Sequence, residues 1–229
     1  AIGATSAIYS LIITFANGLN SGFAIVVTQA FGAKNAKKLR RSIVGIFILN
    51  AASTLILTVL SCALLVPLLN FMNTPETIFA DAYSYVLVLF IGLFSTVGYN
   101  MFSGLLRAVG DSRTPLYHLI FAGVVNVILD VPLVIIWDVT GAALATVVAQ
   151  VLSAILCAVS FFKRCRDMVP SREDIRINKE LLFELVTSGL AMALMMCVVS
   201  VGSVIFQRAN NLLGEDIIAA HSSSHKIFT

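Results

Sequence analysis

The 229-residue chain is 59% hydrophobic and only 12% charged, with a mean hydropathy of +0.95. A soluble domain normally carries about 25% charged residues, so this composition excludes one and predicts an all-α, polytopic helix bundle in a lipid bilayer. The net charge of +3 argues for no nucleic-acid partner, because the basic residues fall between apolar runs and not in one patch.

Taken in order, residues 1–33 contain no charge and are long enough, at 1.5 Å per residue, to cross a hydrocarbon core of roughly 30 Å. This first span holds Asn17, Gly18, Asn20, Ser21, Gly22, Thr28 and Gln29. That is more polarity than a lipid-facing surface accepts, and it suits a helix that lines a cavity or packs closely. Gln29 reads equally well as a polar group at a helix end. Gly32 suits a left-handed C-cap before the basic run Lys34, Lys37, Lys38, Arg40, Arg41. A second span is predicted over 43–67, followed by a loop with Pro67, Asn70, Asn73 and Pro75, where Thr74 and Pro75 suit an N-cap and first helical position. A third span, 82–106, brings Tyr83, Tyr85, Tyr99 and the polar Asn100. Gly110 closes it, and Thr114-Pro115 opens the next helix in the same cap geometry.

The fourth span, 115–137, carries one carboxylate, Asp130. A charged Asp at the centre of a membrane helix costs about 2.5–3.5 kcal/mol on insertion scales, so such residues face protein or a wet cavity and are functional suspects. Asn126 lies four residues earlier on the same helix face and can share a proton, ion or water with the carboxylate. Pro132 predicts a kink that frees the carbonyl of Ile128 as a further oxygen ligand. The alternative is that Asp130 sits near the far end of its helix and reaches interfacial water. A fifth span, 139–162, is rich in Ala and suits close packing.

Composition changes at 163–184, a densely charged stretch that reads as a surface linker between two bundles. The sixth span, 185–207, holds Met192, Met195 and Met196, as adaptable packing or as a wall for apolar substrates. Beyond it the apolar pattern restarts, with His221 and His225 as ordinary polar residues. Cys62, Cys157, Cys165 and Cys197 lack metal-ligand spacing and read as packing residues. The chain opens inside an apolar run without Met or a charged leader, and reads as a piece of a longer protein.

Of the 15 Lys and Arg residues, thirteen follow the first, third and fifth spans: Lys34, Lys37, Lys38, Arg40, Arg41; Arg107, Arg113; Lys163, Arg164, Arg166, Arg172, Arg176, Lys179. The positive-inside rule makes those loops cytoplasmic. Asp130 then lies roughly 22 Å of helix from the cytoplasmic start of its span, in the outer half of the bilayer.

The segments GLNSGFAIVVTQAFGAKNAKKLRR (from Gly18), FSGLLRAVGDSRTP (from Phe102), NVILD (Asn126 to Asp130) and GAALATVVAQ (from Gly141) closely resemble multidrug and toxic compound extrusion (MATE) transporters of the DinF/NorM type. The resemblance implies a twelve-helix fold of two six-helix lobes, of which this chain holds helices two to seven and the start of the eighth. Residues 1–162 would belong to the N-terminal lobe, 163–184 to a cytoplasmic linker and 185–229 to the start of the C-terminal lobe. It implies cation coupling at Asp130, Asn126 and Asn100, by H⁺ or Na⁺, with no other metal or cofactor. The substrate-cavity candidates are Asn17, Asn20, Gln29, Tyr99 and Met195. Some members couple through a carboxylate on the seventh helix, but 185–207 has none, which favours coupling in the N-terminal lobe.

The implied function is antiport of small organic, often cationic, drug-like compounds by a monomer in the bacterial cytoplasmic membrane. A lipid-linked oligosaccharide flippase of the same superfamily is the alternative; it would want a strongly cationic cavity, and the span interiors hold no Lys or Arg. A structural membrane subunit would need neither Asp130 nor Asn126. An enzyme would need a second acid, nucleophile or metal cluster at membrane depth, and none is visible, so no catalysis is expected.

Overall fold

In lipid the backbone must satisfy its own hydrogen bonds, and long apolar segments do so as helices. The computed structural model describes residues 2–71, 76–171, 174 and 178–212. They form α1 (Ile2–Gly32), α2 (Ala36–Phe71), α3 (Glu76–Ile91), α4 (Leu93–Ala108), α5 (Arg113–Arg164), a 3-10 turn (Arg166–Met168) and α6 (Lys179–Leu212). The predicted Thr74-Pro75 cap and the two histidines His221 and His225 lie outside the described residues.

Five stretches of these helices are long and apolar enough to cross a membrane. The longest, α5, is two crossings. Asp138 leaves helical geometry at φ 52° and ψ −134°, and a Cβ on Gly141 would lie 2.0 Å from the carbonyl oxygen of Leu133. The chain therefore folds straight back on itself. His118 Nε2 meets Ser160 Oγ at 2.8 Å, and Arg164 reaches Asp111 at 2.9 Å, which pairs the outer ends of an antiparallel hairpin with arms 113–137 and 139–164. Asp138 is the one residue inside α5 whose φ/ψ is non-helical, and Pro132 lies inside the first arm six residues before it. The other join is softer. Gly92 separates α3 from α4 within one crossing, and it passes so close to the second arm that a Cβ would lie 2.3 Å from Val147 Cγ2.

The helix ends differ from expectation in two places. Lys34, not Gly32, takes the left-handed conformation, at φ 53°, and Asn35 Oδ1 caps α2 by accepting from Lys38 N–H at 3.0 Å. At α5 the capping side chain is Asp111, which accepts from Thr114 N–H at 3.0 Å and from its hydroxyl at 2.7 Å. Gly110, at φ 92°, ends α4 as expected.

One apolar cluster joins Val26 and Val27 of α1, Ile43 of α2, Leu105 and Leu106 of α4, Phe161 of the second arm and Leu185 of α6; Cys157 and Cys165 are buried within it. A second joins Leu65 and Leu69 to Val86, Phe90 and Leu93. Between α1 and α6 the packing is backbone on backbone. A Cβ on Gly18 would lie 2.3 Å from Ala193 Cα, and one on Gly22 2.2 Å from the carbonyl oxygen of Ser188. Small residues four apart on each helix allow this approach, the arrangement that replaces hydrophobic drive inside a bilayer. At one end of the bundle three ion pairs, Lys38–Glu184, Arg40–Asp174 and Arg164–Asp111, each at 2.9 Å, bring the three basic loops together.

Candidate functional site

Two groups of polar side chains on the described helices include residues named from the sequence. The first surrounds a cavity of about 430 Å³ between α1 and α4, lined by Asn17, Asn20, Ser21, Thr28, Asn100 and Arg107 among others. Its α4 wall follows helical spacing, with Asn100, Gly104 and Arg107 on one face; its α1 wall repeats the pattern through Asn17, Ser21, Ala24 and Thr28. Asn100 Nδ2 donates to Asn17 Oδ1 at 2.6 Å, tying the two walls together. Asn20 is buried; its Nδ2 donates to the carbonyl of Ala16 at 3.0 Å, while its Oδ1 has no hydrogen-bond partner.

The second group is the Asn126–Asp130 pair on the first arm of α5. Asp130 Oδ1 and Asn126 Nδ2 are both buried as atoms and unpartnered. A lone acceptor and a lone donor, one turn apart and shut off from water, are costly to leave unpaired.

These placements divide the residues named from sequence. Asn17, Asn20 and Asn100 share the α1–α4 cavity, where Asn100 pairs with Asn17. Gln29 is exposed on the last turn of α1, and Met195 is 52% exposed on α6; neither lines the cavity. Tyr99 packs against the main apolar cluster and donates its hydroxyl to the carbonyl of Pro115 at 3.4 Å. Arg107 is the residue that sequence reasoning missed. It reads as a loop charge, but α4 runs to Ala108 and carries it on the cavity face, seven residues after Asn100.

The sequence profile of the MatE family matches residues 1–131, more than half of the chain. The chain belongs to the MatE family. It is 27% identical over 96% of its length to the probable multidrug resistance protein YoeA of Bacillus subtilis, and 24% identical over 96% to the probable multidrug resistance protein NorM of Thermotoga maritima. It spans about half of each, 50% and 48%. Solved MatE-type folds agree in architecture. An outward-facing multidrug resistance MATE transporter superposes with TM-score 0.85 and 22% identity over 99% of this chain and 51% of that one. An inward-facing structure gives TM-score 0.80 and 24% identity over 87% of this chain and 46% of that one. This MatE chain is thus a multi-pass membrane protein with the family's helical bundle.

Proposed function

We propose that this chain is the cation-coupling part of a secondary active exporter, which drives small organic compounds out of the cell in exchange for H⁺ or Na⁺. The observation that carries the reading is the unpartnered Asn126–Asp130 pair inside a membrane span. Protonation or Na⁺ binding removes the carboxylate's charge, which changes the free energy of burying it and so the preferred helix packing. Alternating access follows if one state buries Asp130 neutral and the other opens it to water. In this reading the basic loops face the cytoplasm, and residues from 185 onward begin a second lobe that closes against α1. The relatives named for multidrug resistance support the substrate class.

The test is dye efflux from cells carrying the full-length parent, with pH and sodium gradients imposed separately. Asp130→Asn removes the titratable, cation-binding carboxylate while keeping its shape. Efflux should stop at unchanged membrane abundance. Parental efflux against the gradient in this variant would refute coupling at Asp130. Arg107 in the cavity is the one observation that favours the flippase reading, and transport of a lipid-linked sugar in place of dye would establish it.

A further inference from the structure

A cleft at the basic end of the bundle holds charges of both signs that the fold leaves unpaired. It lies between the start of α2 and the start of α6, encloses about 430 Å³, and is lined by Lys37, Lys38 and Arg41 from the one helix and by Glu180 and Glu184 from the other. Lys38 and Glu184 neutralise each other at 2.9 Å. Among the described residues Lys37 and Arg41 have no acidic partner, and Glu180 has no basic one; its carboxylate accepts only from Asn178 Nδ2, at 3.1 Å. Two helix N-termini open into the same space. Asn35 Oδ1 caps α2 by accepting from Lys38 N–H at 3.0 Å, Asn178 Oδ1 caps α6 by accepting from Glu180 N–H at 3.4 Å, and both asparagines line the cleft. Each such terminus adds about half a positive charge. The level of the cleft is set by its neighbours. The membrane-crossing stretches Ala36–Pro67 and Lys179–Gly202 both begin at it, and Phe183, on the turn between Glu180 and Glu184, is 74% exposed. A bare Phe favours hydrocarbon over water on insertion scales, so the cleft opens at headgroup height beside lipid.

We infer that this cleft binds the headgroup of phosphatidylethanolamine from the adjacent leaflet, with the phosphate among Lys37, Arg41 and the two helix N-termini and the ammonium against Glu180. Phosphate is the anion that guanidinium groups, ammonium groups and helix N-termini all recognise. A headgroup with one charge of each sign matches the unpaired set. Phosphatidylglycerol supplies the phosphate but no cation for Glu180. Phosphatidylcholine carries both charges, but its quaternary nitrogen has no N–H to donate to a carboxylate. A soluble phosphate ester brings no acyl chain to the lipid beside Phe183. The bound headgroup would touch α2 and α6 at once and so reinforce the contact that Lys38 and Glu184 make between them. The inference is independent of which compound or ion the protein moves.

The experiment counts lipid bound to the purified full-length parent in detergent by native mass spectrometry. Phosphatidylethanolamine, phosphatidylcholine and phosphatidylglycerol with identical acyl chains are titrated in turn. The first equivalent of phosphatidylethanolamine should bind about tenfold more tightly than that of either other lipid, the scale of one hydrogen bond to a charged group. Glu180→Gln should erase its advantage over phosphatidylcholine. Arg41→Gln should weaken all three lipids, and Arg41→Lys should restore them, which separates lost charge from lost folding. Lys163→Gln, an exposed cation outside the cleft, should change nothing. Equal affinity for phosphatidylethanolamine and phosphatidylcholine in the parent overturns the inference, as does a preference that survives Glu180→Gln or an Arg41→Gln loss that Lys does not reverse. Tightest binding of phosphatidylglycerol would make the cleft a plain anion site, and displacement of the lipid by an equal concentration of soluble phosphoethanolamine would assign it to a soluble ligand; either result also overturns the inference. No transport is measured, so its failure leaves the export reading untouched.

Discussion

Lys38 Nζ stands 2.9 Å from Glu184 Oε1, joining the start of α2 to the first turns of α6 across 146 positions of sequence. Both side chains are 37% exposed, so the pair adds only about 0–1 kcal/mol. That is enough to bias two states of similar free energy. Lys38→Glu should therefore loosen this end of the bundle, and a cysteine at Thr28 should react two- to fivefold faster with a charged thiol reagent, as expected for about 1 kcal/mol or less. Adding Glu184→Lys should restore the parental rate. An unchanged rate in the single variant would show that the pair plays no part in closing this end.

Acid should weaken the same end. Burial pushes the Asp111 carboxyl up, but hydrogen bonds from Thr114 and the nearby Arg164 guanidinium outweigh it and hold it below the ordinary 3.8. Asp174 is held low chiefly by the Ser171 N–H and hydroxyl, with Arg40 adding to them against burial. Both folded values lie below the unfolded value, so their stabilisation is complete above pH 3.8 and is lost as pH falls through the lower folded values. Thermal unfolding should be insensitive to these groups from pH 8 to 5 and should weaken below about pH 4. Asp111→Asn should lose part of that acid step; an identical acid step in the variant would contradict the assignment.

Gly22 tolerates no side chain. Gly22→Val would drive a Cβ to 2.2 Å from the Ser188 carbonyl and 2.5 Å from Gly189 Cα, both backbone atoms that cannot rotate away. The expected loss is about 1–3 kcal/mol, the range for overpacked sites, with lower abundance in the membrane. Gly123→Ala is the control, since a Cβ there meets nothing within 4 Å. Equal melting temperatures for the two variants would show that α1 and α6 do not meet as described.

Asp138 holds a backbone conformation that glycine adopts at no steric cost. Strained positions of this kind cost about 1–3 kcal/mol. Asp138→Gly should raise the melting temperature and Asp138→Val should lower it. The opposite order would mean that the hairpin turns elsewhere.

The crossings were legible because an apolar run of bilayer length has few alternatives, and the reversal at Asp138 even coincides with the boundary between the fourth and fifth predicted spans. That Asn126 and Asp130 share one face of their helix follows from their spacing alone. What one-dimensional reading misses is which face meets which neighbour. Gln29, Tyr99 and Met195 are polar or adaptable residues on plausible helices, and none of them lines the α1–α4 cavity. Arg107 is hidden by the opposite effect: a charge near a helix end looks like a loop marker until the helix is seen to run past it. The spacing from Asn100 to Arg107 would have exposed it.

The interlock of α1 and α6 also bears on how the protein is made. Phe23 of α1 lies over Gly189 of α6, so close that a Cβ on that glycine would meet its ring. At roughly 5–20 residues per second, the ribosome needs on the order of ten to thirty seconds to pass from one partner to the other. For that interval α1 sits in the bilayer with its glycine face uncovered, and any chaperone or lipid that shields it must leave before α6 can dock. Biogenesis of this bundle is thus gated by its last described helix, and slow translation between the two would prolong the period in which the first can be degraded.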